Sequence, residues 1–330
     1  MANILQHYLH TTRWVSAETT VKISTGCKIR NYSESEAKQT AQVVRNRNVS
    51  ARVSGPRDFY YQRAENLSDE TVVEIINSDQ ILSDERLSRV AKLAEAVLVA
   101  SIVLQGDRSS FLRSVVGVRE EFFDLNITKD ARETSVSSTS QVEKEPSGLA
   151  VDSTAARRFR KNGFPDLYAI ANGDSKLSTR LERSLGWLIQ SRTDKSVSSA
   201  IVKTSTALET LVVIGREPTR RALSERGAYI LSDDPDERRR ISRAIKTFYS
   251  KRGNIVHGKG DVSDEETVRI LEFGDRLSVL IALVLSSNGN KWENADDVRR
   301  HCDAVRWGED RTCSRPWSRR YLNTALNRLP

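Results

Sequence analysis

One stretch of the chain gathers side chains able to do chemistry near neutral pH: Tyr249-Ser250-Lys251-Arg252-Gly253-Asn254-Ile255-Val256-His257-Gly258. The apolar residues Ile241, Ile245, Phe248 and Ile255 before and within it keep a helical period and mark a face that packs inward. Arg252 stands on that same line, where another apolar residue is expected. An arginine cannot shed its charge, so on a buried stripe it needs a carboxylate, a phosphate or a wet interface. Glu209, a charged residue on an otherwise apolar helix, is the carboxylate it could pair with. His257 can work as acid or base near pH 6.5. It follows Arg252 by five positions, about 140° round an ideal helix, so the two need not face the same way within one chain. A second reading is open for each: Arg252 as a structural partner of Glu209, and His257 as a cation at a helix C-terminus, where the dipole favours one.

Other constellations carry less. His301-Cys302 with Cys313 offers nitrogen and sulfur ligands, but a zinc site wants four at tighter spacing. The chain has no P-loop, G-x-G-x-x-G, H-E-x-x-H or G-x-S-x-G pattern. No metal and no cofactor is expected. A basic run from Glu237-Arg238-Arg239-Arg240 to Arg243, and a tail from Lys291 to Arg328 with Trp292, Trp307 and Trp317, mix arginine with aromatic rings. That mixture suits stacking on single-stranded nucleic acid, and equally suits tryptophans that anchor the tail to the fold.

The charge balance points the same way. Residues 1–150 hold 19 Lys+Arg and 20 Asp+Glu, a net of −1, whereas residues 151–330 hold 33 and 24, a net of +9. A basic excess confined to one half suits a polyanion partner, or simply a solvated surface. With 38% hydrophobic and 29% charged residues the composition is that of a globular chain. No apolar run approaches the roughly 18–20 residues of a membrane span, and no signal peptide is visible. Three widely spaced cysteines, Cys27, Cys302 and Cys313, argue against a disulfide scaffold. The expected location is cytoplasmic, away from membranes.

The elements that must position these residues are mostly helical. Residues 1–65 form a small mixed α/β segment of no assigned role, with a strand over Thr20 to Ile29, a Ser-capped helix over Ser33 to Arg47 and a strand over Arg47 to Val53. Residues 66–128 are expected to be helical: a short helix after Ser68, a long one after Ser83 that ends at Gly106, and a third over Phe111 to Phe123. The Ser/Thr/Glu-rich residues 129–156 are expected as a flexible linker or long loop. Residues 157–288 are expected as an antiparallel bundle with helices over Ser178 to Gln190, Val197 to Ile214 and Thr219 to Leu231, a fourth that begins after Asp233-Asp234-Pro235 and continues to His257, and a fifth over Ser263 to Leu285. Gly258-Lys259-Gly260 is the expected stop of the fourth, and residues 289–330 remain as a basic, Trp-containing tail.

Three ordered pieces resemble the HEPN superfamily, in particular its ApeA-like branch. They are Thr206-Ala207-Leu208-Glu209-Thr210-Leu211, Leu223 to Leu231, and Arg252 to Gly258, which fits the family's R-x(4–6)-H pattern followed by Gly. The resemblance covers about residues 165–285 well, 84–125 loosely, and the two ends not at all. It implies a mainly α fold, an antiparallel HEPN-type bundle, and a homodimer. It also implies metal-independent ribonuclease activity on transfer or single-stranded RNA. In that reaction a ribose 2′-OH attacks the neighbouring phosphate and leaves a cyclic phosphate and a 5′-OH, with Arg252 and His257 as the catalytic pair. Asn254 would orient His257 or a phosphate oxygen; many family members carry a polar residue directly after the Arg, where this chain has Gly253. Lys251, Lys259, Arg239 and Arg243 would bind substrate. The branch implies a prokaryotic antiphage or abortive-infection toxin, acting with a defence-system partner protein. The alternative is a non-catalytic module that binds nucleic acid or a partner.

Overall fold

The structure, a computed structural model, describes residues 5–12, 15–46, 64, 67–68, 70–77, 82–105, 122–129, 134–141, 149–194, 196–257, 264–289, 291–310 and 316–327. The chain divides into two compact units: residues 1–99 with 114–158, and residues 100–113 with 159–330.

The first unit is built on a six-stranded, wholly antiparallel sheet. Its strands are β1 (Leu5–Thr11), β3 (Val21–Ser24), β4 (Cys27–Asn31), β5 (Thr71–Asn77), β6 (Phe122–Lys129) and β7 (Thr134–Gln141), in the order β3-β4-β5-β1-β6-β7. A two-stranded parallel sheet joins β2 (Val15–Ala17) to β8 (Leu149–Val151). The strand expected over Thr20 to Ile29 is a hairpin, because Gly26 turns the chain at φ 79°, a left-handed conformation that favours glycine. Tyr8, Val21, Ile23, Cys27, Ile29, Val73 and Ile75 bury one face of the sheet. On the other face Glu74 accepts from His7 at 2.8 Å, Arg30 at 2.7 Å and Lys28 at 2.7 Å. The helix expected after Ser33 is α1 (Glu34–Asn46). Ser33 accepts from the Glu36 amide, and Glu36 reaches back to the Ser33 amide, closing a capping box.

Two expectations fail in this unit. Residues after Ser68 form β5, not a helix: Thr71, Val72, Val73 and Ile75 are β-branched, and the strand is bonded on both sides, to β4 and β1. The 129–156 linker holds β7 and β8, so the sheet reaches far beyond residue 65. The Ser/Thr composition of β7 resembles a loop, but the β6 ladder satisfies its backbone. The helix expected over Phe111 to Phe123 lies outside the described residues except at Phe122 and Phe123, which begin β6. The strand expected over 47–53 lies outside them too.

The long helix expected after Ser83 is α2 (Asp84–Gln105); Val99 belongs to the first unit and Ala100 to the second. The rest of the second unit is helical: α3 (Ser153–Lys161) leads into it, followed by α4 (Phe164–Ala171), α5 (Lys176–Arg192), α6 (Val197–Val212), α7 (Thr219–Leu231), α8 (Pro235–Val256), α9 (Asp264–Ser287), α10 (Ala295–Trp307) and α11 (Pro316–Leu326). The chain is therefore mainly helical, with an antiparallel sheet at one end of the sequence. Helix α9 is the centre: every residue from Ile270 to Ser286 is buried, and α4 to α8 and α11 pack around it. Bonds from Ser184 to the Ala207 carbonyl and from Ser191 to the Ala200 carbonyl run α5 and α6 antiparallel. The tail expected at 289–330 is no separate piece, since α10 packs on α7 and α11 on α9.

Candidate functional site

Helix α8 starts as the sequence dictates. Asp234 accepts from the Glu237 amide at 2.7 Å, and Pro235 fills the first helical position, where no N–H is needed. Ile241, Ile245 and Phe248 are fully buried. Gly274 of α9 lies against Phe248 so closely that an added Cβ would be 2.6 Å from its ring and 2.6 Å from the Thr204 methyl. Behind this contact Asp275 is completely buried and accepts from Thr204 at 2.6 Å and Arg192 at 3.2 Å. A buried carboxylate survives only with such partners.

Beyond Phe248 the stripe leaves the core. Arg252 and Ile255 are half-buried, and Val256 and His257 are exposed. Polar contacts hold this end: Tyr249 donates to Glu209, Lys251 pairs with Glu266 of α9, and Arg252 donates through Nε to Ser205 at 3.3 Å. The pairs 209–249 and 205–252 lie one turn apart on antiparallel helices, which sets the register of α6 against α8. Burial, followed by the hydrogen bond to Glu209, pushes the Tyr249 phenol far above its ordinary value, and the nearby Arg252 charge only partly offsets this.

The expected pairing of Arg252 with Glu209 is corrected by this register: Glu209 is taken by Tyr249, and the Arg252 guanidinium has only its Nε bonded to a described residue. The backbone N–H of His257 closes α8 on the Gly253 carbonyl at 3.0 Å, while its imidazole bonds no described residue. Asn254 is exposed. Of the expected substrate-binding cations, Lys251 is engaged with Glu266, Arg239 pairs with Asp236, Arg243 is exposed, and Lys259 lies outside the described residues along with the expected Gly258–Gly260 stop. Sequence reasoning missed Ser205 and Tyr249. Their signal is the i, i+4 spacing of Ser205 and Glu209 on α6, two polar residues on a helix whose inward face is apolar.

Elsewhere, His301 is buried against Trp292, 4.8 Å between rings, and faces Asp310 at 3.0 Å. Cys313 lies outside the described residues, and among those described no group of three or more His, Cys, Asp or Glu side chains could hold a metal. Trp292 anchors the tail, whereas Trp307 is 72% exposed. No described helix is long and apolar enough to cross a membrane. No family model matches the chain, and no curated protein or solved structure matches it.

Proposed function

We propose that the chain is a homodimeric HEPN-type ribonuclease of the ApeA-like kind, acting as an RNA-cutting effector in prokaryotic antiphage defence. One observation carries the reading: at the C-terminal end of α8, the Arg252 fork and the His257 ring offer polar atoms that bond no described residue. The Arg252 guanidinium grips the scissile phosphate and stabilises charge on the pentacoordinate phosphorus. One imidazole takes the proton of the 2′-OH as its oxygen bonds to phosphorus. A second protonates the 5′-oxygen as the P–O5′ bond breaks, leaving a cyclic phosphate and a 5′-OH. A single histidine cannot be base and acid at once, so two chains supply one each across a two-fold interface. The apolar edge of Ile255 and Val256, which the fold leaves partly in water, suits that interface.

The test is cleavage of total transfer RNA or a labelled single strand in excess EDTA by wild type, Arg252→Ala and His257→Ala. The reading expects cyclic-phosphate products from wild type alone and growth arrest from the intact gene but not from His257→Ala. A monodisperse monomer that still cuts would refute the dimer. RNA binding without cleavage would leave a non-catalytic binding module.

A further inference from the structure

A second polar feature of the helical unit lies outside the Arg252 region. Between α7 and α10 opens a cleft of about 250 Å³ whose lining includes Arg221, Arg226, Arg299 and Arg306. Three carboxylates line it as well, but two are already engaged: Glu217 holds Arg226 at 2.5 and 2.6 Å, and Glu225 holds Arg221 at 3.0 Å. Arg226 also donates to the Val212 carbonyl at 2.5 Å, so it is part of the wall. Arg221, Arg299 and Arg306 are the solvent-facing cations, and exposed Arg216 and Arg220 add charge beside them. Exposed ion pairs such as Arg221–Glu225 and Arg299–Asp296 at 3.0 Å hold weakly and exchange readily for a phosphate.

One further observation extends the cleft. Where α10 ends, Trp307 is 72% exposed with the Arg306 guanidinium 5.6 Å from its ring centre, an aromatic face kept in water beside a cation.

We infer that the α7–α10 cleft is a docking site for single-stranded RNA, in which Arg221, Arg299 and Arg306 take backbone phosphates and Trp307 stacks one unpaired base. The identity of the strand rests on the ribonuclease reading; the cations and the open aromatic face are the chemistry that recognises it.

The experiment is fluorescence anisotropy with a labelled 2′-O-methyl single-stranded RNA, which has no free 2′-OH to attack. Wild type, Trp307→Ala and the double variant Arg221→Gln/Arg299→Gln are compared, with melting temperature as the fold control. Trp307→Ala should raise Kd roughly 10-fold, the loss of one stacked base. The double variant should flatten the log Kd against log salt slope by about 1.4, two phosphate contacts on a single strand. Wild-type Kd and slope in both variants, from a protein that cuts RNA, would overturn the cleft and spare the ribonuclease reading. Cleft-dependent binding with no cleavage of ordinary RNA would support the cleft and sink the catalytic pair. A wild type that binds no RNA at low salt overturns the cleft, and if it also cuts none it overturns the ribonuclease reading with it.

Discussion

On the proposed ribonuclease reading, His257→Ala separates chemistry from folding. The side chain is exposed and its imidazole bonds no described residue; the bond that closes α8 comes from the backbone amide, which alanine retains. Its truncation should change stability by no more than about 0.5 kcal/mol. Removing a general acid or base costs roughly 10²–10⁴ in rate, and three decades correspond to about 4 kcal/mol of transition-state stabilisation. Activity and melting temperature should therefore part company. Arg252→Ala is the companion test. It loses one 3.3 Å hydrogen bond, about 1 kcal/mol, and the packing of a half-buried stem, about as much again. At roughly 2–4 °C per kcal/mol for a domain of this size, the melting temperature should fall about 4–8 °C, which leaves the protein folded at 25 °C. Glu209 keeps its Tyr249 hydrogen bond throughout, so no carboxylate is stranded. The assay is single-turnover cleavage of a labelled RNA in EDTA beside a thermal melt. Undiminished cleavage by His257→Ala refutes the assignment, and so does a loss of activity that merely tracks a loss of fold.

Three further outcomes test the fold. Gly274→Ala should cost about 1–3 kcal/mol, because the new methyl meets the Phe248 ring and the Thr204 methyl at 2.6 Å and neither can retreat into a filled core; an unchanged melting temperature would contradict the α6–α8–α9 packing. Tyr249→Phe should cost about 1–3 kcal/mol by leaving Glu209 without its donor. Because the Tyr249 value is raised, its contribution is intact below the ordinary phenol value of 10.0 and is lost as pH rises past it, so the alkaline loss of stability should shrink in the variant. In the first unit, the hydrogen bond from Arg30 holds Glu36 at about 2; burial alone would raise Glu74, but bonds from His7, Arg30 and Lys28 outweigh it and hold it far below the ordinary carboxylate range. Depressed carboxylates stabilise above 4.5 and stop doing so as pH falls through their folded values, so an acid titration should unfold wild type progressively below that point, and Glu74→Gln should flatten the dependence.

Five helices of the second half, α5 to α9, were legible, whereas α3, α4, α10 and α11 were not foreseen. In α8 an Asp cap, a Pro at the first turn and an apolar stripe specify start, type and inward face, and the helix runs Pro235–Val256 as that pattern requires. The sheet was less legible. TVVEIIN carries a Ser and acidic residues just upstream, which read as a helix start, and only its position between β4 and β1 lets the β-branched run prevail. Strand β7 is harder still, since TSVSSTSQ has little apolar content and depends on β6 for its partner. Strands are specified by neighbours distant in sequence, and helices largely by themselves.

The same distinction explains what was and was not visible of the site. Arg252 stood out as a charge on a stripe, and the natural inference from a buried arginine is a carboxylate at hand. The structure removes the premise. The stripe is fully buried only as far as Phe248, where Gly274 lets α9 approach; past that point the described polar contacts are Tyr249–Glu209, Lys251–Glu266 and Arg252–Ser205. A half-buried arginine at the edge of a core keeps water on part of its guanidinium and is stable without an ion pair. One helical turn of register on α6 decides whether Glu209 meets residue 249 or residue 252, and no single-helix pattern encodes that offset. The outcome matters for chemistry: an arginine tied to a carboxylate would have its charge balanced and its fork occupied, whereas one held by a single hydroxyl keeps most of its fork for a phosphate.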